Sequence, residues 1–154
     1  MSEERILVPT DLSDYGVAAL RYAAMLREPL SATLTVVYAD EPGYPVNMPD
    51  MPLAVYERPL EEHGQVVETV KAHVAKVLPS PPSDVRSSFG FPADVICRTA
   101  DEIDATLIVM GTHGRRGLSR VMLGSVAESV LRQSMRPLIT LAPPAIADRP
   151  DGVK

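Results

Sequence analysis

The chain has 154 residues, 45% of them hydrophobic, and a formal net charge of −5, which indicates one soluble globular domain and argues against a general nucleic-acid surface. Its single cysteine argues against an internal disulfide framework and fits a reducing compartment. Because no apolar run approaches the roughly 18 residues that a membrane-spanning helix needs, and the acidic start does not resemble a signal peptide, we predict a soluble cytoplasmic protein.

The first part of the chain alternates strand and helix patterns. The short apolar run Ile6–Pro9 predicts a buried strand, and Ser13 then offers an N-cap for a helix. The apolar face of that helix comprises Leu12, Tyr15, Ala19, Tyr22 and Leu26. The β-branched segment Thr33–Tyr38 predicts a second strand. Asp40–Pro59 is so rich in proline that no regular helix or central strand fits it, and it predicts a long loop.

The alternation continues to the end of the chain. The predicted elements are a helix over Leu60–Leu78, a partly exposed strand over Asp84–Phe89, a helix from Phe91 to about Glu102, a strand over Thr106–Met110, a helix over Val126–Met135 and a strand over Leu138–Ala142. This order predicts the α/β class, as a three-layer open sandwich with a five-stranded parallel sheet and helices on both faces. We expect residues 1–142 to form a single domain and Pro143–Lys154 to be a flexible tail.

The segment after the fourth predicted strand has the spacing Gly-x2-Gly-x9-Gly-Ser. Gly111 and Gly114 flank His113 directly after the strand, and Gly124 and Ser125 open the next helix. Glycine permits positive φ angles and the close approach of a ligand, and backbone N–H groups at a helix start attract anions. The spacing is therefore compatible with a phosphate site, and also with an ordinary turn followed by a helix cap.

Charged residues within this segment leave further alternatives open. Arg115, Arg116 and Arg120 lie between the glycines, where they would either supply charge to phosphates or form a solvated surface. His113 has no serine, cysteine or second histidine obviously paired with it, so the sequence assigns it no catalytic role.

Topology would give the site a second wall. If the strand order is 3-2-1-4-5, the order reverses between strands one and four, and doubly wound sheets bind ligands at that point. Pro9, Thr10 and Asp11 follow strand one and would then face Gly111 and Gly114 across one crevice. Asp11 would accept a hydrogen bond from a ribose hydroxyl or a base amine, or serve only the start of the helix. The P-loop, dinucleotide, zinc and hydrolase-elbow motifs are absent from the sequence.

Five segments, in order and at consistent spacing, match one known family. They are Ile6–Ser13, Val36–Tyr38, Ala105–Gly114, Leu123–Glu128 and Arg136–Ile139. On these segments the chain closely resembles the universal stress protein family, and the likeness spans Arg5 to Leu141. The resemblance implies a five-stranded parallel sheet and a homodimer that pairs through Leu138–Ala142. In this family the Gly-x2-Gly-x9-Gly-Ser pattern marks the ATP-binding branch, so the resemblance also implies ATP, with or without Mg²⁺, as the bound cofactor.

The resemblance also implies roles for individual residues. Those expected to hold phosphates and ribose, with their neighbours, are Gly111, His113, Gly114, Arg115, Gly124, Ser125 and Val126. Those expected to line the adenine and ribose pocket are Pro9, Thr10, Asp11, Val37 and Met110. The loop Glu41–Pro59 is longer than in shorter family members, and whether it covers the nucleotide or serves a partner stays open.

The expected function is that of a regulatory protein in stress response that switches a still unknown protein partner according to ATP occupancy. Two alternatives remain at this point. A slow ATPase would need metal ligands and a positioned nucleophile, and Asp11 is the only acid that the sequence places near the site. A dimeric interaction module would have an empty pocket or one that holds another ligand.

Overall fold

The structure, a computed structural model, describes residues 3–41, 60–112 and 123–142. Within them, strands and helices alternate as β1 (Arg5–Pro9), α1 (Asp14–Arg27), β2 (Thr33–Asp40), α2 (Leu60–Val77), β3 (Asp84–Phe89), α3 (Pro92–Glu102), β4 (Leu107–Gly111), α4 (Ser125–Gln133) and β5 (Leu138–Leu141). All strand pairs are parallel, and the strand order is β3-β2-β1-β4-β5. The predicted fold class and strand order are therefore confirmed.

β1 is the central strand, and its two neighbours pair with it differently. It is in register with β2 along its whole length, but with β4 only at Ile6 and Leu7. Thr106 joins the amino ends of β1 and β4, since its Oγ1 accepts the N–H of Arg5 at 2.9 Å. The strand order reverses at this pair, so its carboxyl end is where a doubly wound sheet opens a crevice.

Helices cover both faces of the sheet because successive side chains of a strand point to opposite faces. Ile6 and Val8 belong to the apolar cluster beneath α1 and α2, whereas Leu7 belongs to the cluster beneath α3 and α4. These side chains are buried, as are their partners in β2, Leu34, Thr35 and Val36. The core is thus divided into two layers by the sheet, and each layer is closed by two helices.

β2 is longer than the sequence predicted, and this shortens the proline-rich loop. The strand continues to Asp40, which was assigned to the loop and is only 2% exposed. The reason is its pairing with β3: Asp40 lies opposite Phe89, and its carbonyl accepts the N–H of Gly90 at 3.1 Å. Residues 42–59 of the predicted loop and the predicted tail Pro143–Lys154 lie outside the described residues.

Two helix predictions need correction. Tyr22 was placed on the core face of α1 but is 36% exposed, because Ala19, Leu20 and Ala23 occupy the face that packs on the sheet. The last helix was predicted to reach Met135, but α4 ends at Gln133 and Met135 is 95% exposed. Elsewhere, the element ends agree with the predicted ones or differ from them by one residue.

Candidate functional site

The reversal of strand order brings two loops to the carboxyl edge of the sheet. The chain leaves β1 for α1 on one face and leaves β4 for α4 on the other. Thr10 extends β1, since its N–H donates to the Val37 carbonyl at 2.9 Å. Thr112 extends β4 in the same way, with its N–H donating to the Leu141 carbonyl at 2.9 Å. Both loops therefore start from fixed positions on the sheet.

The β1–α1 loop, residues 10–13, is held by its own side chains. Thr10 Oγ1 accepts the N–H of Leu12 at 3.1 Å, and Asp11 Oδ1 accepts the N–H of Ser13 at 2.9 Å. The Ser13 hydroxyl also donates to Asp11 Oδ1. Between them Leu12 takes the left-handed conformation, with φ 66°, which costs a non-glycine residue about 1 kcal/mol or more. Two successive side-chain turns thus stabilise an unfavourable backbone conformation beside the predicted site.

Ser13 caps the start of α1 and also donates its N–H and its hydroxyl to Asp11. Ser13 is the N-cap, as predicted, with an extended backbone and with its Oγ accepting the N–H of Gly16 at 3.5 Å. Asp11 is thus linked to the start of the helix through Ser13. Its role toward a ligand stays a prediction.

The first turn of α1 contacts both walls of the crevice. A Cβ atom on Gly16 would lie 2.9 Å from Thr10 Oγ1, and one on Gly111 would lie 2.9 Å from Tyr15 Cβ and 3.1 Å from its carbonyl oxygen. Neither position has room for a side chain. Gly111, which the resemblance assigned to the ligand, thus has a packing role as well. Gly16 was missed, although a glycine inside the first turn of a predicted helix is a signal of close packing.

The ends of the glycine segment, Gly111–Ser125, are joined at the carboxyl end of β4. The Gly124 N–H donates to the Thr112 carbonyl at 2.6 Å, and Ser125 is the first residue of α4. Gly124 is the N-cap, with φ −63° and ψ 153°, so the positive φ that glycine permits is not used here. It provides no side-chain acceptor for the first N–H groups of α4. An incoming anion would meet those groups and the positive end of the helix dipole.

Three apolar residues of the predicted pocket share one cluster. Val37 and Met110 are buried beneath α3 and α4, and Val126 of α4 packs against the same cluster. Pro9 lies opposite Val37 in the sheet and is partly exposed. The structure thus brings these four residues to one region, where core packing alone accounts for the burial of Val37 and Met110.

Part of the predicted site cannot be placed. His113, Gly114 and Arg115, together with Arg116 and Arg120, lie outside the described residues. In the part of the chain that the structure describes, no group of three or more His, Cys, Asp or Glu side chains is arranged to hold a metal ion. None of the helices in these ranges is long and apolar enough to cross a membrane.

Sequence reasoning also missed a cavity of about 490 Å³ on the face covered by α1 and α2. Its lining residues are Leu12, Tyr38, Asp40, Glu62, Gln65, Val66, Thr69 and Val70. It therefore borders the β1–α1 loop from the side opposite Val37 and Met110. The available signal was an acidic residue, Asp40, at the end of an apolar strand.

Comparison with known proteins identifies the family. The model of the universal stress protein family matches residues 3–141. The chain belongs to the universal stress protein family. A universal stress protein of Methanocaldococcus jannaschii is 31% identical over 144 residues, which cover 92% of this chain and 83% of the relative. The family resemblance found in the sequence is confirmed.

Solved structures of universal stress proteins share the fold. One, in complex with cAMP, has a TM-score of 0.62 and 22% identity, and the match covers 94% of this chain and all (100%) of that one. Another, from Archaeoglobus fulgidus in complex with dAMP, has a TM-score of 0.60 and 24% identity, and covers 91% of this chain and 98% of that one. At these identities the likeness shows the common fold.

Proposed function

We propose that this universal stress protein binds ATP between the β1–α1 loop and the glycine segment, and that a protein partner in the cytoplasm responds to the occupancy of this site. The observation that carries the proposal is the hydrogen bond from the Gly124 N–H to the Thr112 carbonyl. It holds the two ends of the glycine segment together beside the point where the strand order reverses. A phosphate chain bound there would lie at the start of α4.

The phosphates would bind to the backbone of the glycine segment. The backbone angles of Gly124 suit any residue, so glycine at this position is better explained by the close approach of a ligand. Gly114 and Ser125 would add N–H and hydroxyl donors, and Arg115 would add positive charge. Gly111 and His113 would complete the segment. Mg²⁺, where it accompanies ATP, would bind through the phosphates.

The nucleoside would lie over the other half of the crevice. Asp11 would accept a hydrogen bond from a ribose hydroxyl or from the adenine amine. The apolar and backbone contacts would come from Pro9, Thr10, Val37, Met110 and Val126. The family members solved with cAMP and dAMP support an adenine nucleotide as the ligand class. The Gly-x2-Gly-x9-Gly-Ser spacing supports ATP within that class.

A switch requires ATP to bind one arrangement of the two loops more tightly than another. A tenfold preference changes the equilibrium between them by about 1.4 kcal/mol. The β1–α1 loop suits this role, because hydrogen bonds to Thr10 and Asp11 hold Leu12 in an unfavourable conformation, and Asp11 would also contact the ligand. A partner that contacts this loop would then distinguish the two states.

We also propose a homodimer that pairs through Leu138–Ala142. β5 lies at the edge of the described sheet and pairs there with β4, so its outer side is a surface on which a second copy of the strand would fit. Sedimentation velocity tests this directly. A chain that stays monomeric at micromolar concentration would contradict the proposal.

Calorimetry with ATP tests the nucleotide site, and two variants of Gly124 sharpen it. Gly124→Asp and Gly124→Asn are matched, because both residues are favourable N-caps and differ in charge. Repulsion between a carboxylate and the phosphates should make ATP binding to the Asp variant about tenfold weaker than to the Asn variant. The affinity for adenosine, which has no phosphate, should be the same in both.

The outcomes separate the possibilities. Adenine nucleotide released from the denatured, freshly purified protein would support the proposal. The absence of both heat and a thermal shift at millimolar ATP would sink the proposal and would leave a dimeric interaction module as the function. ATP affinities of both Gly124 variants equal to that of the wild type would remove the phosphates from the start of α4.

A further inference from the structure

Ser13 is engaged by Asp11 through two donors at once. Its N–H lies 2.9 Å from Asp11 Oδ1, and its hydroxyl donates to the same oxygen. We infer that Ser13 is a positioning residue for the nucleotide site, which fixes the orientation of the Asp11 carboxylate before the ligand arrives. This inference rests on the proposed function.

One hydroxyl group performs two tasks in this arrangement. A serine hydroxyl has one proton to donate and lone pairs to accept with. In Ser13 the proton goes to Asp11 Oδ1, while a lone pair of Oγ accepts the N–H of Gly16 at 3.5 Å. The orientation of the carboxylate is thereby linked to the first turn of α1.

The backbone around Asp11 is closely packed, whereas the Ser13 hydroxyl can rotate. Gly16 lies so close that a Cβ atom on it would be 3.4 Å from Asp11 Oδ1 and 2.9 Å from Thr10 Oγ1. The hydrogen bond from the Leu12 N–H to Thr10 Oγ1 holds the turn formed by residues 10–12. Rotation of the carboxylate about its Cβ–Cγ bond is restrained by the two donors of Ser13.

A carboxylate oriented in advance loses less conformational freedom when it accepts a ligand hydrogen bond. Without the Ser13 hydroxyl, Oδ1 would lose one of its two donors from Ser13, and the carboxylate would rotate more freely. The ligand would then have to order it. We therefore expect that the loss of the Ser13 hydroxyl weakens ATP binding through its effect on Asp11, and not through a direct contact between Ser13 and ATP.

The test is a double-mutant cycle measured by calorimetry with ATP. Ser13→Ala should weaken binding on the order of tenfold, which is the range for residues of one hydrogen-bond network, and Ser13→Thr, which keeps the hydroxyl, should restore it. In an Asp11→Ala background, Ser13→Ala should cause no further loss. A merely structural role for Ser13 would weaken binding equally in both backgrounds.

A second variant separates binding from folding. Ser13→Gly removes the hydroxyl but keeps an acceptable N-cap, so its unfolding midpoint should stay near that of the wild type while its ATP affinity falls as in Ser13→Ala. If the wild type binds ATP and both Ser13→Ala and Ser13→Gly bind it with the same affinity as the wild type, the inference is overturned and the proposed nucleotide site is not. Absence of ATP binding to the wild type would overturn the proposed function, and this inference with it. Additive losses in the cycle would assign Ser13 to α1 alone.

Discussion

The two walls of the crevice are built in different ways. The β1–α1 loop is fixed by hydrogen bonds between near neighbours, of which those between Asp11 and Ser13 are examples. The ends of the glycine segment are held by backbone hydrogen bonds between more distant parts of the chain, from Gly124 to Thr112 and from Thr112 to Leu141. A side-chain substitution should therefore alter the first wall locally. The second wall should respond to changes that move a strand or a helix.

The first turn of α1 is where the two walls meet. Gly16 lies against Thr10 of the first wall, and Tyr15 lies against Gly111 of the second. The distance between the two walls thus depends on how closely α1 can approach the sheet. The largest predicted effect follows from this contact.

Gly111→Ala should lower the free energy of unfolding by about 2 kcal/mol, within the range for overpacking a core. The added methyl group would meet the Tyr15 carbonyl oxygen at 3.1 Å, and backbone cannot rotate away as a flexible side chain can. The matched control is Gly64→Ala in α2, where no atom lies within 4 Å of the added group. The control should raise stability by up to about 1 kcal/mol through helix propensity. Denaturant unfolding measures both variants. If the free energy of unfolding changes in the same direction in both, the packing role of Gly111 is contradicted.

An intermediate effect is expected at Arg136, which precedes β5. Its guanidinium donates to the Ala105 carbonyl at 3.1 Å and lies 3.2 Å from an Asp101 oxygen, and its side chain is only 28% exposed. Arg136→Met should lower the free energy of unfolding by about 1 kcal/mol and speed hydrogen exchange at the Thr112 amide, which bonds to β5.

Arg132 provides the control for Arg136. It forms an exposed pair with Glu128 at 2.7 Å, one helical turn apart. Arg132→Met should change stability by less than about 0.5 kcal/mol, as surface pairs usually do. If the two variants behave alike in unfolding and in hydrogen exchange, the second wall does not depend on the anchoring of β5.

The smallest effect concerns Cys97 on α3, close to the same Asp101. Burial raises the pKa of this thiol, and the carboxylates of Asp101 and Asp94 raise that pKa further, in this order. Since the thiolate is the reactive form, alkylation of the native protein should be slow at neutral pH and should rise only at higher pH than in the unfolded chain. Asp101→Asn should speed alkylation at a fixed pH more than Asp94→Asn does. The reverse order would show that Arg136 already neutralises Asp101.

What the sequence predicted well depends on near neighbours or on repeated patterns. Alternating strands and helices indicated the parallel sheet, and Ser13 was recognised as an N-cap because capping involves residues within one turn. Gly111 and Gly124 of the glycine spacing lie together at the carboxyl edge of the sheet, which the order of the elements predicted. These features need no knowledge of how distant segments pack.

What it did not predict depends on contacts between distant segments. The packing role of Gly111 appears only when α1 lies on the end of β4. The burial of Asp40 requires β3 beside it, and the exposure of Tyr22 depends on the side of α1 that meets the sheet. In each case the partner is far away in the chain, so local patterns carried no signal for it.

The position of β1 between β2 and β4 has a consequence for the order in which the molecule forms. The contact between Arg5 and Thr106 joins residues 101 positions apart, and such long closures slow folding. Pairing of β1, β2 and β3 requires shorter closures, so we expect the crevice to be completed late, when β4 docks. A nucleotide that needs both walls would then leave the refolding rate nearly unchanged and act on the protein mainly by slowing its unfolding.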